Sequence, residues 1–327
     1  MLRTQFCELF GIEAPIVQAP IWPAVTPELV AAVCGAGGLG SIGAVFGSAE
    51  HVRGEIDRVR ALTDRPFAVN HVVPVLDEAA FAATLDARPA AVSFALGDPG
   101  ALVRRVRDAG IKVIHQVHTV GQAREAAALG VDVIIAQGSE AGGQGMAAGI
   151  GALALLPQVV DAVGPIPVLL AGGVADGRGL AAALTLGGAG VNVGTRFLAS
   201  EESGADPSWR ERILAAESEE AVRFEAWHDL FPPAPSSYDV VPRVMRTEFV
   251  TRWTADREGA RRQAQELRRE LMGRIRAGLA HELTPFTGQT AGLIGDVRPA
   301  AEIVRGMVSE AGAALARAAA MSDAERA

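Results

Sequence analysis

Short apolar segments alternate with longer alanine-rich segments over the first 200 residues of the chain. The apolar segments are unbroken, which is typical of parallel strands whose two faces are both buried. Strands are predicted at residues 15–19, 39–43, 66–70, 91–96, 112–117, 132–137, 166–171 and 190–194. Eight successive strand–helix units predict an α/β protein with a (β/α)8 TIM barrel, and a doubly wound parallel sheet is the alternative.

The pattern changes after the eighth predicted strand. Residues 201–285 hold three of the four tryptophans, the only tyrosine, Tyr238, and a proline-rich stretch at 231–235. This composition predicts a mostly helical insertion between the eighth strand and its helix. The chain returns at Gly288 and closes with a helix over about 299–320. We therefore predict a barrel of residues 1–200 and 286–327 and an insertion of residues 201–285.

Ligands of such a barrel bind at the carboxyl ends of its strands, so the residues that follow each strand predict the site. Two strand ends carry glycine, with Gly172 and Gly173 after the seventh strand and Gly194 and Thr195 after the eighth. Backbone N–H groups at such turns can hold a phosphate without any lysine. The other ends supply amides and apolar side chains, which suit a flat heteroaromatic ring. These residues are Gln18, Ile21, Trp22, Asn70, Gln116 and Gln137.

The sixth strand leads into a glycine-rich turn, which carries Glu140 and Gln144. We expect Glu140 to tether the turn through backbone N–H groups. Gln144 is a candidate catalytic residue, and His71 and His118, beside the ends of strands three and five, are candidates for an acid or base. The histidines show no metal-ligand spacing next to a carboxylate, so we predict no metal site.

Composition narrows the range of partners. The net charge is −8, the pI is about 5.4 and no basic run occurs, which argues against binding to nucleic acid or anionic membranes. No apolar run reaches ~18 residues without Gly, Pro or a charge, so we expect no membrane span. Two cysteines, Cys7 and Cys34, exclude a disulfide scaffold and suit a reducing cytoplasm. The expected partner is a small-molecule substrate, and a homo-oligomeric state stays open.

Seven short motifs follow one another along the chain. They are QAPI at 18–21, FAVN at 67–70, VIH at 113–115, AQGSEAGG at 136–143, AGGV at 171–174, NVGTRF at 192–197 and GQTAGLI at 288–294. Together they resemble the FMN-dependent nitronate monooxygenases, once called 2-nitropropane dioxygenases. The resemblance implies an FMN whose phosphate binds the glycine pairs of strands seven and eight, with Pro20, Gly142, Gly143 and Gln289 also adjoining the cofactor. It also implies that the insertion covers the flavin and lies on the substrate side of the barrel.

Two departures from the family pattern bear on the chemistry. Typical members have histidine where this chain has Gln144, and relatives often have lysine where it has Gln116. An amide takes no proton at neutral pH, so we expect dioxygen-dependent oxidation of alkyl nitronates, which are already anionic, in preference to neutral nitroalkanes. Two alternatives remain. One is an NAD(P)H-dependent flavin reductase of the quinone or enoyl-thioester type, and the other is a barrel that binds FMN or another phosphate ligand without turnover.

Overall fold

The computed structural model describes residues 2–233 and 237–323, so the end of the proline-rich stretch, from residue 234, lies outside the described residues. The strands are β1 Ile16–Gln18, β2 Gly40–Gly43, β3 Phe67–Val72, β4 Ala91–Ala95, β5 Lys112–Val117, β6 Val133–Gln137, β7 Gly143–Met146, β8 Val168–Ala171, β9 Gly190–Val193, β10 Ala221–Arg223 and β11 Val240–Met245.

The helices begin with α1 near the amino terminus and end with the long α16. They are α1 Gln5–Phe10, α2 Pro27–Gly35, α3 Ala49–Leu62, α4 Glu78–Ala87, α5 Ala101–Asp108, α6 Val120–Leu129, α7 Ala152–Val163, α8 Gly177–Thr185, α9 Thr195–Leu198, α10 Pro207–Ala215, α11 Trp227–Leu230, α12 Glu248–Ala255, α13 Arg257–Arg262, α14 Ala264–Arg276, α15 Ala280–Leu283 and α16 Ala300–Asp323. Within the described ranges, none of these helices is both long and apolar enough to cross a bilayer.

Eight parallel strands form the barrel, in the order β1-β9-β8-β6-β5-β4-β3-β2. This confirms the predicted fold, and each observed strand lies within two residues of its predicted position. The two terminal strands of the order are joined by the backbone of Leu39, whose carbonyl accepts from Gln18 at 3.0 Å and whose N–H donates to Ile16 at 2.9 Å. These bonds bring the first and last strands into contact and close the barrel.

Apolar side chains fill the amino-terminal end of the barrel interior. Phe6 and Phe10 of α1 pack there with inward-facing residues of the strands, including Ile114 and Leu169. A larger core lies between the strands and the surrounding helices. Because packed side chains close one end of the barrel, the site for a ligand is at the carboxyl ends of the strands.

The segment predicted as an insertion contains helices α10 to α15 and also two strands that the sequence analysis did not predict. Strands β10 and β11 pair antiparallel, and β11 pairs on its other side with β7, which belongs to the glycine-rich turn of the barrel. This register places Pro242 opposite Gln144 and Arg243 opposite Gly143. The three-stranded sheet therefore joins the insertion to the predicted site. The boundaries of the two-part division stay a prediction.

Candidate active site

A small cavity lies inside the barrel, between the apolar packing around α1 and the carboxyl ends of the strands. Five polar side chains line it, each from a different strand, and they are Ser41, Asn70, Ser93, Gln116 and Asn192. Apolar residues complete the lining, among them Pro20, Ile114 and Ile135. Of the polar set, sequence reasoning found Asn70 and Gln116 and missed the other three. The signal for those was available, because each is the one polar side chain within an apolar strand.

Two polar atoms of this cavity are buried without a hydrogen-bond partner among the described residues, the hydroxyl oxygen of Ser41 and Oδ1 of Asn192. Oδ1 of Asn70 is engaged, since it accepts from the Ser93 hydroxyl at 2.9 Å. Buried polar atoms are normally paired, so unpaired ones that line a cavity indicate a polar ligand edge. The polarity of this small cavity therefore suits the edge of a heterocycle that carries donors and acceptors.

The turns after β8 and β9, where the phosphate site is predicted, require glycine for reasons of backbone geometry and space. Gly172 and Gly173 take φ values of 91° and 74°, a region that glycine enters without strain. A side chain at Gly194 would meet Ile21 at 3.1 Å, and one at Gly172 would meet the backbone of Ala141 at 2.8 Å. These close approaches admit no side chain at Gly172 or Gly194, and phosphate binding by their N–H groups stays a prediction.

The hydrogen bonds at the same turns show which groups stay available to a phosphate. The Thr195 hydroxyl accepts from the N–H of Gly288 at 2.9 Å, which leaves its own hydrogen to donate. Asp176, in contrast, uses its carboxylate to cap α8, accepting from the N–H of Arg178 at 2.8 Å. A phosphate would therefore bind at the glycine turns and at Thr195 rather than at the first turn of α8.

The glycine-rich turn after β6 is fixed by contacts on several sides. Both carboxylate oxygens of Glu140 lie 2.9 Å from the N–H of Ala152, the first residue of α7, so Glu140 tethers the turn as expected. Its carbonyl accepts from the N–H of Gln289 at 3.0 Å. Arg243 donates to the Ser139 carbonyl through Nε at 3.1 Å and Nη2 at 2.8 Å. Burial lowers the pKa of Arg243 to about 10.

Gln144 lies on β7, at the end of this turn. Its carbonyl accepts from Nε2 of Gln137 at 3.0 Å, so the amide of Gln137 is committed to the turn and fixes the backbone of Gln144. The side-chain amide of Gln144 is half-buried and has no hydrogen-bond partner among the described residues. Gly143, the preceding residue, has a φ of 73°, and this left-handed conformation changes the direction of the chain at the start of β7. The side-chain amide of Gln144 is thus free to donate, while its backbone is bonded to Gln137.

His71 does not face the cavity. Side chains alternate along a strand, and since Asn70 points into the barrel, His71 points out toward α4. There its Nε2 lies 2.9 Å from the Thr84 hydroxyl, and its ring packs edge-on against Phe81. Burial lowers its pKa to about 4. This placement gives His71 a packing role and does not support the predicted acid–base role.

His118 lies beyond the end of β5 and is almost fully buried. Neither ring nitrogen has a hydrogen-bond partner within the described part of the chain. Its ring packs edge-on against Tyr238 of the insertion, with centroids 5.9 Å apart. Burial, followed by the neighbouring His115, lowers its pKa to about 4. The buried, neutral imidazole thus lies beside the backbone of Gln144 and the side chain of Gln122, and its acid–base role stays a prediction.

The remaining predicted residues lie in segments that follow strands of the barrel. Pro20 lines the cavity. The side chain of Ile21 lies 3.1 Å from the position that a Cβ at Gly194 would occupy. Trp22 is half-buried and packs edge-to-face against Phe46. A Cβ at Gly142 would lie 2.5 Å from the backbone of Gly288, so the glycine-rich turn and the returning segment that holds Gln289 are in direct contact.

These features define an α/β-barrel protein with a polar-lined cavity in its interior and glycine turns after β8 and β9. The model of the nitronate monooxygenase family matches residues 3–83 and 76–310. The chain therefore belongs to the nitronate monooxygenase family. It is an enzyme of the oxidoreductase type, and the family implies a flavin cofactor. The alternative of a barrel that binds its ligand without turnover is overturned by this membership.

Relatives within and near this family differ in their activities. The chain is 38% identical over 253 residues to the (3aS,4S,5R,7aS)-5-hydroxy-7a-methyl-1-oxo-octahydro-1H-indene-4-carboxyl-CoA dehydrogenase of Mycobacterium tuberculosis, covering 76% of this chain and 68% of that protein. FabK from Thermotoga maritima superposes with a TM-score of 0.88 at 32% identity, over 98% of this chain and 100% of FabK. The nitroalkane oxidase of Streptomyces ansochromogenes superposes with a TM-score of 0.81 at 29% identity, over 95% and 99%.

Proposed function

We propose that the protein is an FMN-dependent oxidoreductase that oxidises alkyl nitronates with dioxygen. The flavin ring would lie over the barrel cavity, near Asn70 and Gln116. The phosphate would bind the turns at Gly173 and Gly194 with the Thr195 hydroxyl. When bound, FMN would accept two electrons from the substrate and pass them to dioxygen.

The free amide of Gln144 is the observation that carries the choice of substrate. A nitronate is an anion with two oxygens, and an amide N–H can donate to such an oxygen. Because the substrate is already deprotonated, its oxidation needs no base, and Gln144 supplies none. The bond from Gln137 to the backbone of Gln144 would hold this donor in place. The role of the chain is thus to bind and orient an anion over the flavin.

A second candidate is a flavin-dependent reductase or dehydrogenase of a thioester, with NAD(P)H as the electron donor in the reductive direction. It is favoured by the identity of 38% to a protein named as a carboxyl-CoA dehydrogenase. In this case the Gln144 amide would donate to the thioester carbonyl oxygen, on which negative charge develops.

Two measurements on the purified protein with FMN separate the candidates. Oxygen consumption with propyl-1-nitronate, faster than with 1-nitropropane, is expected for the preferred function. Anaerobic mixing with NADH or NADPH should leave the flavin oxidised on the time scale of turnover. Rapid flavin bleaching by either nucleotide, together with no nitronate-dependent oxygen uptake, would favour the reductase and overturn the first proposal.

A matched pair of variants tests the phosphate turn. Gly194→Val would place its side chain against Ile21, and we expect loss of bound FMN. Gly54→Ala, in a helix position with nothing within 4 Å of the added carbon, should retain it. Full FMN content in Gly194→Val would exclude this turn as the phosphate site.

We further propose that the protein is located in the cytoplasm. The partners of the reaction would be a small-molecule substrate and dioxygen.

A further inference from the structure

Apolar side chains occupy the rim of the barrel on one side of its mouth. Trp22 follows β1, Phe46 follows β2 and Val75 follows β3, and these three strands are neighbours in the closed barrel. Phe46 and Val75 are 54% and 47% exposed. The side chains of Gln116 and Gln144, in contrast, come from β5 and β7. The rim therefore has an apolar arc beside a site with amide donors.

Phe46 is held outward by a backbone that is unfavourable for phenylalanine. Its φ is 57°, in the left-handed region that a bulky residue adopts rarely and at a cost. Gly47 follows in a tight turn, where an added side chain would lie 2.8 Å from His51. Because the ring is exposed, its burial does little to offset the free-energy cost of this backbone conformation. Strained residues of this kind cluster at ligand sites, where the strain fixes a functional side chain.

The arc is continuous with the candidate flavin site. The Phe46 ring packs edge-to-face on Trp22, with centroids 5.8 Å apart. Two residues before Trp22, Pro20 lines the barrel cavity. Both aromatic rings therefore lie on loops that follow strands next to the cavity, and they offer apolar surface without a charge.

We propose that Phe46, with Trp22, binds an apolar tail of the substrate, so that the preferred substrates are carbon acids or their anions with a medium or long alkyl chain. The reacting group in this inference rests on the proposed function, whereas the binding site for the tail does not depend on it. Burial of each further methylene against the two rings should raise affinity by about threefold, until the chain extends past the arc.

Phe46→Gly is the decisive variant, because glycine accepts a positive φ without strain. It should fold at least as stably as the wild type while losing the ring. Arg88→Gly is the matched control, since Arg88 is an exposed residue with a φ of 50° at the opposite end of the barrel. Both variants should gain stability in urea, and only Phe46→Gly should lose chain-length selectivity.

Nitronates of three, five and eight carbons give the kinetic measurement. In the wild type and in Arg88→Gly, kcat/KM should rise at least tenfold from three to eight carbons, mainly through a lower KM. In Phe46→Gly the three-carbon value should stay within twofold, and the eight-carbon value should fall by about tenfold. Equal selectivity in Phe46→Gly and the wild type would overturn the proposal.

Calorimetric binding of 1-octanol and 1-butanol separates this proposal from the proposed function, because it needs no turnover. The wild type should bind 1-octanol at least tenfold more tightly than 1-butanol, and Phe46→Gly should lose most of that difference. If nitronates are not oxidised but the alcohols show this pattern, the tail site stands and the nitronate assignment fails. If 1-octanol binds no more tightly than 1-butanol, the tail site fails.

Discussion

The hydroxyl of Tyr238 lies 3.1 Å from Nε2 of His115 and joins the insertion to the barrel. The direction of this bond is fixed by the other ring nitrogen. Nδ1 of His115 lies 3.1 Å from the carbonyl oxygen of Phe94, which can only accept, so Nδ1 carries the hydrogen. Nε2 is therefore the acceptor and Tyr238 the donor. The backbone N–H of Tyr238 also donates to Leu96, at 3.2 Å.

Tyr238→Phe should destabilise the protein by about 1–3 kcal/mol, because Nε2 of His115 is left buried and unpaired. Urea unfolding followed by circular dichroism measures the loss. The control is a double-mutant cycle with His115→Leu, in which a coupling free energy near zero would show that the bond contributes nothing.

Gln144→His should restore a proton acceptor at the end of the glycine-rich turn. We expect kcat/KM for neutral 1-nitropropane to rise by about 10²-fold, which is the low end for a positioned general base. The value for propyl-1-nitronate should change far less. Gln144→Asn is the control, since it keeps an amide and adds no base. An unchanged ratio of the two substrates in Gln144→His would contradict the role assigned to this position.

Thr84→Val tests the packing role of His71. The Thr84 hydroxyl donates to the carbonyl of Ala80 at 3.0 Å, so it accepts from Nε2 of His71. Removing it leaves a buried donor unpaired and should cost about 1–3 kcal/mol in unfolding free energy. Steady-state kinetics should be unchanged, and Thr84→Ser should restore stability. A tenfold fall in kcat with stability intact would instead place His71 in the reaction.

Acid should destabilise the fold through three buried histidines. His71, His115 and His118 each have a pKa of about 4, against the usual 6.5. The unfolded chain therefore binds more protons between pH 6.5 and 4, so the unfolding free energy falls as the pH drops through that window. Above pH 6.5, these three groups do not make the unfolding free energy depend on pH. Urea midpoints at pH 7.5, 6 and 5 measure the effect.

His118→Leu isolates one of these groups. Both ring nitrogens of His118 are buried without partners, so leucine should raise stability by about 1–2 kcal/mol. The pH dependence between 6.5 and 4 should become shallower by about one proton. A destabilised variant with the wild-type pH slope would show that the imidazole is paired in solution.

Gly142→Ala should loosen the contact between the glycine-rich turn and the returning segment. The added carbon would lie 2.5 Å from the nitrogen of Gly288 and 2.6 Å from the carbonyl carbon of Thr287. We expect a loss of about 1–3 kcal/mol from overpacking, together with weaker FMN binding. Thermal unfolding and flavin content measure both. Gly143→Ala is the comparison, because its φ of 73° adds strain without a collision, so it should cost less.

His71 shows the limit of predicting the site from the sequence. The sequence assigns both Asn70 and His71 to the site because both lie near the end of one strand. Consecutive residues of a strand point to opposite faces, so both could not enter the cavity. In a strand that is apolar on both faces, the pattern does not reveal which face is inside.

The sequence by itself determined the barrel and its glycine turns, because apolar strands, helix caps and glycine positions are local properties of the chain. Tertiary structure alone decided that residues 143–146 become a strand, since glycine-rich backbone extends there through pairing with β11, almost a hundred residues later. It also decided the partners of Tyr238 and His115, which are 123 residues apart. Such contacts depend on how the insertion folds back on the barrel, and no local pattern encodes that.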